Sequence, residues 1–389
     1  MRPGVPQRRR GPTDRVGIVI GLAIERAPRE LPVPSPTRSE AMLMALRLAA
    51  PGTALRAGIE RIIQARMGAL LVIGAGPEVL SVCSGGFLLD AEFTPQRLSE
   101  LAKMDGAIIV TSDCTRIVRS NVHLVPDPSI PTSETGTRHR TAERVAKQIA
   151  VPVITVSEDR SEVAIHVVGQ KRTIDPTPRV LARADQALQI LERYKTRLDA
   201  VSTSLSALEV EDLVTIRDVT SVLQRAEMVR RLADEVEDYV IELGADGRLV
   251  LLQLEELMGG VEDDRRLVAK DYVSGEADLD LATVMRGLAM LDDESLLDLY
   301  AVSSLLELPA GLSLDTPVQP RGFRLLHKIP RLPDIVSDHV VARFNSLQKI
   351  MRASEADLTA VEGVGDARAR AIKDGLARLA ETSILDRYV

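Results

Sequence analysis

The period of the hydrophobic pattern changes once along this chain, near Pro178, and that change limits what each half can become. Upstream, short apolar runs at 69–73, 86–89, 107–111, 122–125, 153–156 and 162–168 have the length of strands. They alternate with helical spacing at 40–49, 51–66, 94–104 and 137–150, which predicts an α/β domain around one central mixed sheet. Downstream, apolar residues recur at three and four, as in Leu181, Ala184, Leu188 and Leu191, then Val229, Leu232, Val236 and Val240. This predicts an all-α spine over 179–315, with turn chemistry only at Gly244-Ala245-Asp246-Gly247 and Gly259-Gly260. Its acidic groups Asp263-Asp264 and Asp292-Asp293-Glu294 read as solvated faces. Pro317, Pro320, Pro330 and Pro333 then set off a small all-α unit at 316–389.

The core these elements share must be aliphatic, because aromatic residues make up 2% of the 389 and Trp is absent. Stacking of bases on aromatic platforms is excluded as a main mode of nucleic-acid binding. Residues 180–315 hold 13 Lys and Arg against 29 Asp and Glu, whereas 1–179 hold 24 against 18 and 316–389 hold 12 against 9. An acidic middle repels DNA and anionic membranes, so nucleic acid is expected at a terminal unit. Residues 1–39 read as a disordered tail: Arg8-Arg9-Arg10 and an apolar stretch mimic a leader, but Glu25 and Arg26 follow without a small-residue cleavage site. No run reaches the length of a membrane span, and Cys83 and Cys114 have no metal or redox spacing, so a cytoplasmic protein without membrane contact is expected.

Chemistry concentrates in the stretch LVPDPSIPTSETGTRHRTAERVAKQ, residues 124–148. Pro126, Pro128 and Pro131 bar regular structure until a helix begins near Arg138. A helix N-terminus offers free N–H groups and partial positive charge, and Arg138, His139 and Arg140 add to it, which suits phosphate. Thirty residues upstream, Asp105-Gly106 stands at the entrance to the apolar run Ala107-Ile108-Ile109-Val110. Asp105 can hold a divalent cation or take a proton from a hydroxyl, and Gly106 lets a ligand approach the backbone. Together they have what nucleotidyl transfer needs, a metal-holding acid and cationic clamps. Gly74-Ala75-Gly76 lacks a third glycine and reads as a turn between strands with no helix after it. His123 and His166 read as strand residues without chemistry.

Near the C-terminus, Leu358 to Ile372 contains a helix ending at Val361, a Gly363-Val364-Gly365 hairpin and a second helix from Asp366. That pattern fits a helix-hairpin-helix module, whose small glycines bring backbone N–H groups against a DNA phosphate, with Arg368, Arg370 and Lys373 adding charge. Binding of this kind is independent of sequence and suits branched or bent DNA; a plain αα-hairpin capped by glycine is the alternative.

Asp105-Gly106-Ala107 with Thr137-Arg138-His139-Arg140, the runs 68–74 and 154–157, and this terminal module together resemble the DNA integrity scanning proteins, over residues 40–389. The resemblance implies a diadenylate cyclase domain at 40–178, a linker at 179–315 and a DNA-binding domain at 316–389. It implies condensation of two ATP to cyclic di-AMP with Mg²⁺ or Mn²⁺ at Asp105, catalysis by Asp105, Arg138, His139 and Arg140, and activity modulated by branched or damaged DNA. It places Gly106 and Leu124 against the nucleoside, Thr137 and Thr141 around the phosphate loop and Ser157 on a phosphate oxygen, and it implies an octamer of two rings of four. Since each 3′-hydroxyl must attack the other ATP, two sites must meet face to face, which a two-fold pair of these domains supplies. The other hypothesis is a DNA-binding scaffold whose α/β domain binds ATP or cyclic di-AMP without turnover.

Overall fold

The computed structural model describes residues 39–158, 162–273, 281–306, 308 and 313–386. Residues 1–38, and with them the expected tail, lie outside the described residues. Eight strands form one mixed sheet: β1 (Ala69–Ile73), β2 (Cys83–Ser84), β3 (Phe87–Glu92), β4 (Ala107–Val110), β5 (Arg116–Leu124), β6 (Val153–Val156), β7 (Val163–Val167) and β8 (Gln170–Ile174). Their order is β2-β5-β4-β1-β6-β7-β8, with β3 also paired to β5. Among the described residues β1 and β4 run parallel, Leu71 opposite Ile108, and the other strand pairs are antiparallel. Both faces of β1 and β4 are covered, which is why these strands read as unbroken apolar runs.

Helices α1 (Glu40–Leu48), α2 (Ala54–Gln64), the short α3 (Pro77–Ser81) and α4 (Pro95–Leu101) precede α5 (Thr137–Ile149). On one face, Met42, Leu46, Leu55, Ile59, Ile62 and Leu98 from α1, α2 and α4 cover Leu71, Ile108 and Ile154. On the other, Ala142, Val145 and Ala146 of α5 cover Leu70, Val72, Ile109 and Val153. Three expectations need correction. A helix does follow Gly76: Gly76 is its N-cap and Pro77 its first residue, where the missing N–H of proline costs nothing. The strand expected at 122–125 is β5, nine residues long and interrupted by a bulge near Asn121, whose φ is 53°. Strand β8 was not expected, because the polar, half-exposed sequence QKRTI suits an edge.

The spine is a long antiparallel pair. Helix α6 (Thr177–Glu211) spans roughly 52 Å at 1.5 Å per residue, and α7 (Ile216–Leu243) returns along it. At their common end, Glu242 of α7 accepts from Arg172 at 2.8 Å, so spine and sheet are tied. The turn Gly244–Gly247 seats against the α1–α2 connection, with Ala245 N–H donating to Pro51 O at 3.1 Å. Helices α8 (Arg248–Met258), α9 (Val261–Tyr272), α10 (Leu281–Met290), α11 (Asp293–Leu297) and α12 (Leu299–Ser304) pack against this pair through an aliphatic core that includes Leu191, Val222, Val229, Val268 and Leu288. No helix among the described residues is long and apolar enough to cross a membrane.

Helices α13 (Phe323–His327), α14 (Asp334–Phe344), α15 (Leu347–Arg352), α16 (Glu355–Thr359) and α17 (Asp366–Asp386) close the chain around Leu326, Val340, Ile350, Leu358 and Ile372. The α16–α17 hairpin lies where the sequence suggests, with α17 starting at Asp366, but α16 ends at Thr359 and not at the expected Val361. It also has a counterpart thirty-two positions earlier, in which Leu326, Ile329, Arg331, Asp334 and Val340 stand where Leu358, Val361, Gly363, Asp366 and Ile372 stand in the second. Arg331 and Gly363 both take positive φ, 65° and 83°.

This unit is fastened to the spine by a buried ionic hub. The Arg324 guanidinium, with no exposed side-chain surface, donates to Glu209 Oε2 at 2.7 Å, Ser206 Oγ at 3.0 Å and Ser202 O at 2.7 Å from α6, and to Asp264 Oδ1 at 3.2 Å from α9. Asp271 accepts the backbone N–H groups of Gly322, Phe323 and Arg324 at the start of α13. Burial, then Glu209 beside it, pushes the Asp271 carboxyl up to about 7. Of the acids expected on solvated faces, Asp263, Asp292, Asp293 and Glu294 are exposed as expected, whereas Asp264 is drawn into the hub. Asp264 is engaged with Ser202 and Arg324, Asp292 caps α11 at 2.7 Å, and Asp293 pairs with Arg231 at 2.9 Å.

Candidate nucleotidyl-transfer site

Sheet register brings the chemistry to one end. Ala69 pairs with Val156 and Ala107 with Val122, so Gly68, Asp105, Gly106, Leu124 and Ser157 all lie where β1 and β4 begin and β5 and β6 finish. Helix α5 starts at this same end, because the 125–136 loop hands the chain back there. Gly136, at φ 84°, is its N-cap, and no side chain caps it. The amides of its first turn therefore stay available to an anion.

Arg138, the second residue of α5, reaches across to Asp105: its Nη2 lies 3.9 Å from Asp105 Oδ1. The Asp105 side chain is fully exposed and Arg138 is one-third exposed, so both face an incoming ligand while remaining in electrostatic range. What holds Arg138 is Gly68. A Cβ on Gly68 would stand 2.0 Å from Arg138 Nη1, so the guanidinium lies in the space a side chain would fill. Gly106 has a structural reason as well: a Cβ there would come within 2.6 Å of Asn121 Cα, so the glycine also permits close approach of the β5 backbone.

Thr137 opens α5, and its carbonyl accepts from Thr141 Oγ1 at 2.9 Å. Arg140 is exposed, Leu124 ends β5 with its side chain buried, and the Ser157 N–H donates to Glu162 O at 2.8 Å. His139 is half-buried with an unpartnered Nδ1. Burial lowers its pKa first; Glu134 opposes, while Lys171 and Arg138 add to the lowering. The imidazole is therefore biased to neutral until an anion arrives. The C-terminal candidates are far from this site in sequence and belong to the second hairpin. There Arg368 Nη1 donates to Gly363 O at 2.6 Å, Arg370 Nε to Asp366 O at 3.4 Å and Lys373 Nζ to Met351 O at 2.8 Å. A Cβ on Gly365 meets nothing within 4 Å, so that backbone is open to a ligand.

For several neighbours the sequence reading gave no place at the site. Gly68 precedes a strand without any turn signal of its own. His166 is 1% exposed, with neither ring nitrogen partnered, and burial brings its pKa down to about 4. It pairs with Val153 on the sheet face that α5 covers. Glu134, paired to Lys171 Nζ at 2.6 Å, supplies negative potential to both histidines.

Among the described residues, no three His, Cys, Asp or Glu converge as a metal site. A single exposed carboxylate is nonetheless a fitting donor for Mg²⁺ or Mn²⁺ when substrate phosphates complete the oxygen shell. The exposed Asp105 carboxylate is of that kind.

Three family models match the chain: "DisA bacterial checkpoint controller nucleotide-binding" at 56–171, "DisA bacterial checkpoint controller linker region" at 174–314 and "Helix-hairpin-helix motif" at 346–375. Among curated relatives, a protein of Parafrankia sp. called "DNA integrity scanning protein DisA" is 54% identical over 346 residues, 88% of this chain and 96% of the relative. One of the same name from Kineococcus radiotolerans is 53% identical over 359 residues, 92% of this chain and the whole of the relative.

Proposed function

Because this chain belongs to the DNA integrity scanning protein family, it is a diadenylate cyclase, and we propose that its reaction runs at the sheet end where Asp105 faces Arg138. Two ATP are joined as each 3′-hydroxyl attacks the other's α-phosphorus, with two pyrophosphates leaving. The first-turn amides of α5, with Arg138, His139 and Arg140, hold the triphosphate and offset charge that grows on the phosphorus oxygens. Asp105 polarises the attacking hydroxyl of the opposed nucleotide and is the carboxylate that holds the divalent ion. When bound, Mg²⁺ or Mn²⁺ supplies positive charge against the phosphates. Gly106 and Leu124 meet the nucleoside through backbone, Thr137 and Thr141 border the phosphates, and Ser157 contacts a phosphate oxygen. One such site holds one ATP, so two copies meet through their cyclase faces, within the octamer the family resemblance implies.

We divide the labour at the same boundaries as above, cyclisation in 40–178, spacing in 179–315 and DNA contact in 316–389, in the cytoplasm. The second hairpin meets phosphates of branched or damaged DNA through the Gly363 and Gly365 backbone with Arg368, Arg370 and Lys373. DNA binding alters the cyclase rate, and the Arg324 hub supports this, since it leaves little freedom for the last unit to shift without α6.

The observation that carries the cyclase reading is the 3.9 Å approach of Asp105 and Arg138 at an uncapped helix start. Chromatography of the products from ATP and Mg²⁺ or Mn²⁺ should give cyclic di-AMP and pyrophosphate. Asp105→Asn should bind ATP and make at least about 100-fold less product; an unimpaired variant removes Asp105 from the chemistry. For DNA, Gly365→Asp adds a charged side chain where space is open, so it should fold normally and no longer retard branched DNA in gels. Retardation equal to wild type would count against the hairpin.

A further inference from the structure

The loop that delivers the chain into α5 is not free. Its three prolines remove backbone donors, and its own bonds are short-range, such as Ser129 N–H to Asp127 Oδ1 at 2.8 Å and Glu134 N–H to Thr132 Oγ1 at 3.1 Å. The remainder is held from outside, by two adjacent turns of α5 and, at Glu134, by Lys171 of β8 at 2.6 Å. Gln148 Oε1 accepts from Asp127 N–H at 2.9 Å; Arg144 Nε donates to Ile130 O at 2.9 Å; Lys147 Nζ donates to Pro131 O at 2.9 Å. Glu143 stands at the centre. One of its oxygens accepts from Thr132 Oγ1 at 2.5 Å and Ser133 N–H at 3.1 Å, and the other from Lys147 Nζ at 2.7 Å.

We propose that Glu143 is a positioning residue for nucleotide binding: it fixes the 126–136 loop on α5, so that Gly136 and the amides that follow it are set for the triphosphate. This deepens the site proposed above and rests on it. The physical reason lies in the helix start itself. Without a side-chain cap, the first turn of α5 holds the entering backbone through the ordinary helical bond from Arg140 N–H to Gly136 O at 3.1 Å, and glycine is the residue least able to fix its own conformation. Orientation of the anion-binding amides must then come from where the loop is held, and Glu143 holds it with one charged group that accepts from two adjacent loop residues. The carboxylate is nearly buried, at 12% exposure. Although burial alone would raise its pKa, the bonds from Lys147, Thr132 and Ser133 bring it down to about 2, so the clamp stays charged throughout the working range. Glu143 meets no reacting atom. It acts three residues inside the helix from Arg140, through the loop.

The test compares wild type, Glu143→Ala and Glu143→Gln in the full chain, using calorimetric binding of α,β-methylene-ATP, turnover of ATP, thermal unfolding, and cleavage after Glu134 by a glutamate-specific protease. The Ala variant should bind the analogue at least about tenfold more weakly and show a KM raised to match. Its kcat/KM should fall at least as far as its affinity and the loop should be cut faster. The Gln side chain still presents a carbonyl oxygen to Thr132 and Ser133, so it should recover affinity to within about threefold. A lesion confined to packing would not be rescued in this way. Analogue affinity equal to wild type in Glu143→Ala overturns the proposal, as does equal weakening in both variants. Should the Ala variant fail to fold, Lys147→Ala releases Pro131 O and one side of the Glu143 carboxylate, and must itself weaken binding by about threefold. Wild type that binds the analogue yet yields no cyclic dinucleotide would remove the cyclase reading and leave the clamp to be judged on binding alone.

Discussion

Adding one methyl group at Gly68 should disable the enzyme without unfolding it. Its Cβ would lie 2.0 Å from Arg138 Nη1 and 2.7 Å from Cζ, whereas ordinary contact begins near 3.4 Å. The guanidinium must therefore retreat by about 1.4 Å, and it can, because it is the end of a flexible, one-third-exposed side chain. The φ of Gly68 lies outside the left-handed region, so alanine meets no backbone penalty there. Stability should change little. A cationic clamp misplaced by over 1 Å costs on the order of 100-fold in rate, or about 2.7 kcal/mol of transition-state stabilisation. The assay is kcat/KM for cyclic di-AMP formation by Gly68→Ala, with thermal unfolding as control. A thermal midpoint within about 2 °C of wild type beside a loss near 100-fold is expected. Unimpaired turnover would mean that Arg138 is not held against Gly68 during the reaction, and the geometry drawn for the clamp would be wrong.

His166 makes folding sensitive to acid. Its folded pKa is about 4 against an ordinary 6.5, so its contribution is complete above pH 6.5 and is lost as pH falls through 4; by pH 5 about 2 kcal/mol should be gone. Urea unfolding of wild type and His166→Leu at pH 8 and pH 5 checks this, and a parallel loss in both would refute it. Arg324→Met leaves the buried Glu209 without its cation and should destabilise the chain by roughly 3–5 kcal/mol in the same assay. A change below about 1 kcal/mol would show that the hub does not fasten the C-terminal unit.

What local pattern can carry was carried. The period change at Pro178, the apolar runs of β1 and β4, and the Gly-Val-Gly hairpin each reflect forces acting within a few residues: pleat, helical face, turn conformation. The Arg-His-Arg triplet at a helix start was legible for the same reason. Elements whose residues do not advertise their surroundings were not. Strand β8 is too polar to stand out, β5 is crossed by charges and a bulge, and α3 is a single turn set by one proline.

Sequence by itself thus determined the types of side chain that could hold phosphate and a cation, and the order in which the chain presents them. Tertiary structure alone decided that Gly68, Asp105 and Arg138 share one sheet end, that Gly106 makes room for Asn121, and that Arg324 closes a hub with Glu209 and Asp264. These are contacts between residues fifteen to more than a hundred positions apart. They follow from strand register and helix docking, which depend on the whole core and leave no trace in any short window of sequence.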